Sequence, residues 1–195
     1  VIGDTFWKHP CVDGIVFTGS KEIGMKMVKE FSTLYPKPAL MELGGKNPTY
    51  VSETADLDMA AEGVMKSAFG LQGQKCSACS RVYFHEKVYD AYLAKLVEKT
   101  KALKCGDPSE KDVFFGPVVN AKAVKTFEEA VVSAKKGGKI LVGGERLKGG
   151  VFDKGQFVAP TIVELPLDHE IFMRELFVPI LAVGKVKSMD QAIAE

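Results

Sequence analysis

Residues 56–70 read DLDMAAEGVMKSAFG and carry the clearest helical pattern in the chain. Apolar side chains recur there at helical spacing and form one stripe, made of Leu57, Ala60, Ala61, Val64, Met65, Ala68 and Phe69. Asp56 is well placed to cap this helix, and Gly70 and Gly73 loosen its end. Residues 81–85 are predicted to be the next strand, so the residues before them form a connection from helix to strand.

The same alternation extends to both sides of this helix. Strands or extended segments are predicted at residues 12–18, 39–43, 49–52, 81–85, 139–142, 157–165 and 180–186. Further helices are predicted at residues 21–34, 88–103, 121–136 and 170–177, and Ser188 caps a last one. Strands that alternate with helices of this length are typical of βαβ units. The sequence therefore predicts an α/β fold with a mostly parallel sheet.

The composition narrows the class of protein. The 195 residues are 46% hydrophobic and 26% charged, and 26 basic and 25 acidic side chains give a net charge of +1, as in ordinary globular domains. No basic stretch carries interleaved aromatic residues, so nucleic acid is not an expected partner. No apolar run is long enough for a membrane span, and no signal peptide opens the chain. Because the chain begins without Met and stops within a predicted helix, we expect a fragment of a longer protein.

Four cysteines occur, at Cys11, Cys76, Cys79 and Cys105. They lack the spacing of a disulfide framework, which indicates a reducing, intracellular setting. Cys76 and Cys79 form a C-x-x-C pair, and a thioredoxin-like redox function stays open as an alternative, although such motifs open a helix after a strand. Zinc is not expected, because the other cysteines and histidines show no paired spacing.

Two short motifs carry the chemistry. Residues 41–48, MELGGKNP, present the carboxylate of Glu42 in a glycine-rich, otherwise apolar setting. Residues 73–81, GQKCSACSR, present the thiol of Cys76 on the connection that follows the helix. A thiol nucleophile and a carboxylate able to activate water are the minimum set for acyl-enzyme chemistry.

A third motif, FTGSKEIG at residues 17–24, lies where a predicted strand turns into a helix. The free amides of a helix N-terminus suit a pyrophosphate. Gly19 lets the backbone approach a ligand, Ser20 can cap the helix or donate to a phosphate oxygen, and Gly24 permits close helix packing. Plain helix capping is the alternative, and the motif is not a P-loop because it lacks the Gly-Lys-Ser/Thr element.

The three motifs stand in the order found in aldehyde dehydrogenases, and the chain resembles that superfamily. A fourth run, RELFVP at residues 174–179, is similar to the family's Glu-x-Phe-Gly-Pro segment, and the resemblance extends over essentially the whole chain. It implies a three-layer αβα catalytic domain with a mostly parallel sheet. Residues 1–44 would then be the end of the Rossmann-like dinucleotide-binding domain, and residues 45–195 a catalytic domain truncated at its C-terminus.

The resemblance also implies the reaction and its residues. Cys76 would attack an aldehyde to give a thiohemiacetal, hydride would pass to NAD or NADP, and water activated by Glu42 would hydrolyse the thioester to a carboxylic acid. The backbone N–H of Cys76 would stabilise the oxyanion. The family's second oxyanion donor, an asparagine side chain, belongs to sequence upstream of Val1.

The cofactor contacts implied by the resemblance are Gly19, Ser20 and Gly24 at the pyrophosphate, Glu175 at the nicotinamide ribose and Phe177 near the nicotinamide ring. Glu175 as an ordinary surface carboxylate and Phe177 as core filler stay open as alternatives. Arg174 and Val178 depart from the family's commoner Glu and Gly. Val178 adds bulk where glycine usually allows close backbone packing.

The run around Cys76 resembles the branch that oxidises glutamate γ-semialdehyde, the open form of 1-pyrroline-5-carboxylate. Ser77 would donate a hydrogen bond to the substrate carboxylate. A dehydrogenase for other aldehydes is the alternative, and so is CoA-dependent acyl transfer, against which Glu42 argues. The expected partner is a small-molecule aldehyde, with no nucleic acid or membrane, and the parent protein is expected to be a homo-oligomer. We expect a cytoplasmic location, or the mitochondrial matrix in a eukaryote, and little turnover by the isolated 195-residue polypeptide.

Overall fold

The computed structural model describes residues 2–33 and 35–195, and its contacts divide the chain into two compact units, Val1–Gly45 and Lys46–Glu195. The first unit contains α1 (Ile2–Lys8), β1 (Ile15–Thr18), α2 (Lys21–Phe31) and β2 (Ala39–Glu42). The second contains β3 (Asn47–Val51), α3 (Leu57–Phe69), β4 (Cys79–His85), α4 (Tyr89–Lys101), α5 (Ala121–Gly137), β5 (Lys139–Val142), β6 (Thr161–Glu164), α6 (Glu170–Met173), β7 (Ile180–Val186) and α7 (Met189–Ala194). Short 3-10 turns occur at Gly70–Gly73 and Gly150–Lys154.

In the first unit, β1 and β2 form a parallel pair in which Thr18 lies opposite Glu42. A small core forms beside them from Trp7, Ile15, Met27 and Phe31. The side chain of Ser20 caps α2, because its Oγ accepts a hydrogen bond from the amide of Ile23 at 3.3 Å. The chain therefore turns sharply from β1 into α2.

The second unit is built on a five-stranded sheet with the strand order β3-β4-β7-β6-β5. The pairs along β3, β4, β7 and β6 are parallel, and β5 is antiparallel to β6. The predicted α/β fold with a mostly parallel sheet is confirmed.

Helices cover both faces of this sheet. Successive side chains of a strand point to opposite faces, and Val82 packs in the core formed with α3 and α4, whereas Tyr83 packs in the core formed with α5 and α6. In β7, Leu181 and Ala182 divide between the two cores in the same way. Strands buried on both faces need nearly continuous apolar sequence, which accounts for the apolar run at Ile180–Val186.

Several predicted boundaries differ from the structure. The helix predicted at residues 170–177 ends at Met173, because Arg174 is extended (φ −92°, ψ 129°) and Phe177 has φ 56°. Glu175 and Phe177 therefore lie on a loop. The strand predicted at 157–165 shortens to β6, since Pro160 has no N–H to donate to a ladder.

At the N-terminal side, the strand predicted at 12–18 begins only at Ile15, and α1 had no counterpart among the predicted elements. The helix predicted at residues 21–34 ends at Phe31, because Ser32 has left the helical conformation (φ −108°, ψ 49°), and its predicted last residue, Leu34, lies outside the described residues. The cap at Asp56 is confirmed, since its Oδ1 accepts hydrogen bonds from the amides of Asp58 and Met59, both at 3.0 Å. Across residues 2–33 and 35–195, none of the helices combines the length and apolar character that crossing a membrane requires.

Candidate active site

Cys76 lies on a tight turn at the amino end of β4. The amide of Ala78 donates to the carbonyl of Lys75 at 3.1 Å, so Cys76 and Ser77 are the two central residues of the turn. Both side chains are exposed, and Cys76 is a free thiol. Within the described part of the chain the N–H of Cys76 has no hydrogen-bond acceptor. The turn thus presents a thiol and a backbone donor from the same residue.

The turn is anchored by hydrogen bonds from several elements. The side-chain amide of Asn47 donates to the carbonyls of Cys76 and Ala78 at 2.6 and 3.1 Å. The amide of Cys79 donates to Ser67 Oγ on α3 at 3.3 Å. Just before the turn, the side chain of Gln74 accepts from the amide of Val119 at 3.1 Å. These contacts restrain the backbone on both sides of the thiol.

A run of left-handed backbone precedes the turn. Leu71, Gln72 and Gly73 have φ values of 51°, 58° and 66°. A Cβ on Gly73 would lie 3.0 Å from the carbonyl oxygens of Ala68 and Val178. Gly73 is therefore needed both for its positive φ and for close contact with the backbone at Val178.

The loop that contains Glu175, Phe177 and Val178 lies at the amino end of β7. Because β4 and β7 are parallel neighbours, this loop and the Cys76 turn share one edge of the sheet. Phe177 combines a positive φ of 56° with a side chain that is 46% exposed, while Val178 is 5% exposed and packs in the core. The bulk of Val178 is thus accommodated within the second unit.

The strained residues are concentrated at this edge. Among the described residues, the non-glycine positions with positive φ are Leu71, Gln72 and Phe177, and all of them belong to the two loops just described. Left-handed backbone costs an L-residue about 1–2 kcal/mol, and such strain is characteristic of functional sites. Sequence patterns gave no sign of the strain at Leu71 or Gln72, and the neighbouring Gly73 was the only available signal.

The two cysteines of the C-x-x-C pair differ in their surroundings. Cys79 is buried, its Sγ contacts Thr49 Oγ1 at 3.2 Å, and burial raises the pKa of its thiol. Cys76, in contrast, is exposed. Cys79 is therefore the less suited of the two to act as a thiolate nucleophile.

A half-buried lysine lies beside the Cys76 turn. Lys46 Nζ donates to the carbonyl of Ser80 at 3.3 Å, and the carbonyl of Lys46 accepts from Arg81 Nε at 3.1 Å. Burial, together with the neighbouring charge of Arg81, lowers the pKa of Lys46 to about 8, and Cys79 and Glu175 act in the opposite direction. The positive charge of Lys46 thus reaches towards Glu175 and the start of β4.

This pKa predicts a stability change at alkaline pH. Between about pH 8 and the ordinary lysine value of 10.5, the unfolded chain holds a proton on Lys46 that the folded chain has released. The free energy of unfolding should therefore rise with pH across this window, and more steeply in the wild type than in Lys46→Met. Urea unfolding at several pH values measures the difference, with exposed Lys111→Met as control. If the free energy of unfolding rose equally steeply with pH in the wild type and in Lys46→Met, the prediction would be wrong.

In the first unit, Glu42 is the last residue of β2 and is exposed. Its carbonyl accepts a hydrogen bond from the amide of Gly19 at 3.0 Å, so Glu42 lies next to the turn formed by Gly19 and Ser20. Gly24 is buried, and a Cβ there would lie 2.4 Å from Leu43. The structure thus brings Glu42 together with Gly19 and Ser20, while Cys76 belongs to the other compact unit.

One feature of the first unit, the N-terminus of α2, suits a phosphate group of a ligand. Gly19 and Ser20 are exposed at the N-terminus of the 11-residue α2, where amides and the helix dipole favour an anion. The Ser20 oxygen is already engaged by the amide of Ile23, which leaves its O–H as a donor. For metals, residues 2–33 and 35–195 bring together no group of three or more His, Cys, Asp or Glu side chains that could hold an ion.

The sequence model of the aldehyde dehydrogenase family matches residues 1–195, and the chain belongs to this family. It is 39% identical over 198 residues to 1-pyrroline-5-carboxylate dehydrogenase of Anoxybacillus flavithermus, and the match covers 98% of this chain and 38% of the relative. The enzyme of the same name from Bacillus cytotoxicus is 40% identical, and the match covers 99% of this chain and 38% of that enzyme. The chain therefore spans 38% of the length of these curated relatives.

Solved structures show the same relationship. The crystal structure of 1-pyrroline-5-carboxylate dehydrogenase from Thermus with bound NAD matches with a TM-score of 0.91 and 38% identity, covering 99% of this chain and 38% of that one. Betaine aldehyde dehydrogenase from Staphylococcus aureus in complex with NAD+ matches with a TM-score of 0.93 and 29% identity. This match covers 99% of this chain and 38% of that one. These comparisons give the family and the fold of the chain.

Proposed function

We propose that the whole protein to which this chain belongs oxidises an aldehyde to a carboxylic acid with NAD or NADP, and that Cys76 is its nucleophile. The observation that carries the proposal is the anchored turn, in which one residue presents an exposed free thiol and a backbone N–H that has no acceptor among residues 2–33 and 35–195. Membership of the aldehyde dehydrogenase family supports it.

The reaction follows from these groups. The Cys76 thiolate attacks the carbonyl carbon, and the oxygen gains negative charge that the N–H of Cys76 stabilises. Bound NAD or NADP supplies the acceptor for the hydride that leaves the resulting thiohemiacetal. The Glu42 carboxylate takes a proton from water, whose oxygen attacks the thioester, and the thiol of Cys76 is released with the acid as product.

The cofactor would be held by the residues that the resemblance to the family implies. Gly19 and Ser20 would contact its pyrophosphate through the exposed N-terminus of α2, and Gly24 would keep α2 close to β2 by its packing against Leu43. Glu175 would bind the nicotinamide ribose. Phe177 would contact the nicotinamide ring, a role supported by its exposed and strained conformation.

For the substrate we propose glutamate γ-semialdehyde. Support comes from the relatives named 1-pyrroline-5-carboxylate dehydrogenase and from exposed Ser77, which can donate a hydrogen bond to the substrate carboxylate. Oxidation of another aldehyde is the alternative. Transfer of the acyl group to CoA is disfavoured because Glu42 provides a water-activating carboxylate.

We further propose that residues 1–44 are the end of a dinucleotide-binding domain and residues 45–195 part of a catalytic domain. The division of contacts between Val1–Gly45 and Lys46–Glu195 supports this arrangement. The whole protein would be a homo-oligomer. The isolated 195-residue polypeptide is expected to show little turnover and weak dinucleotide affinity, since most of the dinucleotide-binding domain would be missing.

Two measurements on the whole protein test this function. Formation of NADH or NADPH is followed with a panel of aldehydes, and glutamate γ-semialdehyde is expected to give the highest kcat/KM. A thiol-reactive aldehyde analogue is then added, and peptide mass spectrometry is expected to find Cys76 labelled before Cys11, which is also exposed. Equal labelling of Cys76 and Cys11, or no reduced dinucleotide with any aldehyde, would count against the proposal. Acyl-CoA as the product would favour the CoA-dependent reaction.

A further inference from the structure

Asn47 connects two parts of the chain that are distant in sequence. It is the first residue of β3 and pairs with Cys79 at the start of β4, and the register of the two strands shifts directly after it. The Nδ2 of Asn47 reaches the carbonyl of Cys76 at 2.6 Å and the carbonyl of Ala78 at 3.1 Å. One side chain therefore binds the turn on both sides of Ser77.

These two contacts use the full donor capacity of the amide. An asparagine NH₂ group has two hydrogens, and here each has one backbone oxygen within reach. The third contact of the turn, from the amide of Ala78 to the carbonyl of Lys75 at 3.1 Å, closes it from within. The carbonyls of Lys75, Cys76 and Ala78 are thus all fixed, and with them the backbone that carries the thiol.

The side chain of Asn47 is itself held in place. Residues before proline are restricted to extended conformations, and Pro48 follows Asn47 directly. On the other side, the carbonyl of Lys46 accepts from Arg81 Nε at 3.1 Å, and Lys46 Nζ donates to the carbonyl of Ser80 at 3.3 Å. The start of β3 cannot shift relative to the start of β4 without breaking these contacts.

We infer that Asn47 is a positioning residue for Cys76, whose side-chain amide fixes the backbone so that the thiol and N–H of Cys76 hold one geometry towards the substrate carbonyl. The inference rests on the proposed function in that it takes Cys76 as the nucleophile. A misplacement of about 1 Å at a reacting group can cost about 100-fold in rate. Loss of the amide should therefore appear in kcat rather than in cofactor binding.

The test compares three variants of the whole protein. Asn47→Leu removes the amide, and Asn47→Asp keeps the shape but places an acceptor against two carbonyl oxygens. Thr49→Val is the matched control, because Thr49 lies two residues along the same strand and contacts Cys79 instead of Cys76. The measurements are kcat, the KM for NAD, the Tm, and hydrogen–deuterium exchange of the peptide that contains Ala78.

In Asn47→Leu we expect kcat to fall about 100-fold with the KM for NAD unchanged within about twofold, and the amide of Ala78 to exchange faster. Asn47→Asp should regain part of its rate relative to wild type as the pH falls, since a protonated carboxyl can donate one of the two lost bonds. Thr49→Val should retain wild-type kcat. This pattern at a similar Tm is not expected if Asn47 only stabilises the fold.

Two results would overturn the inference. The first is exchange of the Ala78 amide in Asn47→Leu equal to that in wild type, which means that the side chain does not hold the turn. The second is faster exchange with kcat no lower than in Thr49→Val. If the wild-type protein shows no dehydrogenase activity, the proposed function fails, while the exchange measurement still decides whether Asn47 fixes the turn.

Discussion

Cys76→Ala in the whole protein is expected to lower kcat for aldehyde oxidation by about 10⁴- to 10⁶-fold, the loss typical of removing a covalent nucleophile. Without the thiol no thiohemiacetal forms, and neither hydride transfer nor thioester hydrolysis can follow. The Tm should hardly change, because Cys76 is exposed and its backbone contacts do not involve the sulfur. Steady-state kinetics and a thermal melt of the same preparation measure both quantities.

Cys11→Ala is the matched control for this variant. Cys11 is also an exposed free cysteine, but it belongs to the first unit, so its replacement should leave kcat unchanged. If Cys76→Ala retained a tenth or more of the wild-type rate, Cys76 would not be the nucleophile. Cys79 is poorly suited to replace it, since burial raises the pKa of its thiol.

Gly73→Ala is expected to produce the largest loss of stability among the substitutions near the site. The residue has φ 66°, and the new Cβ would lie 3.0 Å from the carbonyl oxygens of Ala68 and Val178 and 3.3 Å from the Cα of Pro179. All three neighbours are backbone atoms and cannot rotate away. We expect the free energy of unfolding to fall by about 2–3 kcal/mol.

The same substitution should also lower kcat, because relief of the overlap moves either the segment before Cys76 or the loop that contains Phe177. Urea unfolding and steady-state kinetics of the whole protein measure the two effects. Gly63→Ala provides the control within α3, since an added Cβ there meets no atom within 4 Å. That change should raise the free energy of unfolding by about 0.5–1 kcal/mol, because alanine favours helix over glycine. Wild-type stability in Gly73→Ala would contradict this account.

The strain in the two loops helps to explain why this edge of the sheet forms a site. Leu71, Gln72 and Phe177 are held in left-handed backbone that costs each of them free energy. Burial of neighbouring groups offsets the cost, with Gly73 and Val178 both enclosed by the second unit. The packed interior thus supports exposed groups in conformations that an unconstrained loop would not adopt.

Much of the fold could be predicted from local patterns. The stripe of α3 and its cap at Asp56 depend on contacts within one or two turns of helix, and both are present as expected. The apolar run at residues 180–186 predicted a strand, and the structure shows that this strand, β7, is buried on both faces of the sheet. Candidate site residues such as Cys76 and Glu42 could be picked out because their chemistry and glycine-rich surroundings are visible in the chain.

Other features depend on contacts between segments far apart in sequence. The helix predicted through Phe177 stops at Met173, and the loop that follows packs against Gly73. The periodicity of the loop sequence does not predict this contact. The contact from Asn47 to Cys76 joins residues 29 positions apart and exists only because β3 and β4 pair in parallel. Local sequence specifies the elements and the reactive groups, whereas the strand pairing fixes the backbone around them, since that pairing is determined by the packing of the whole sheet.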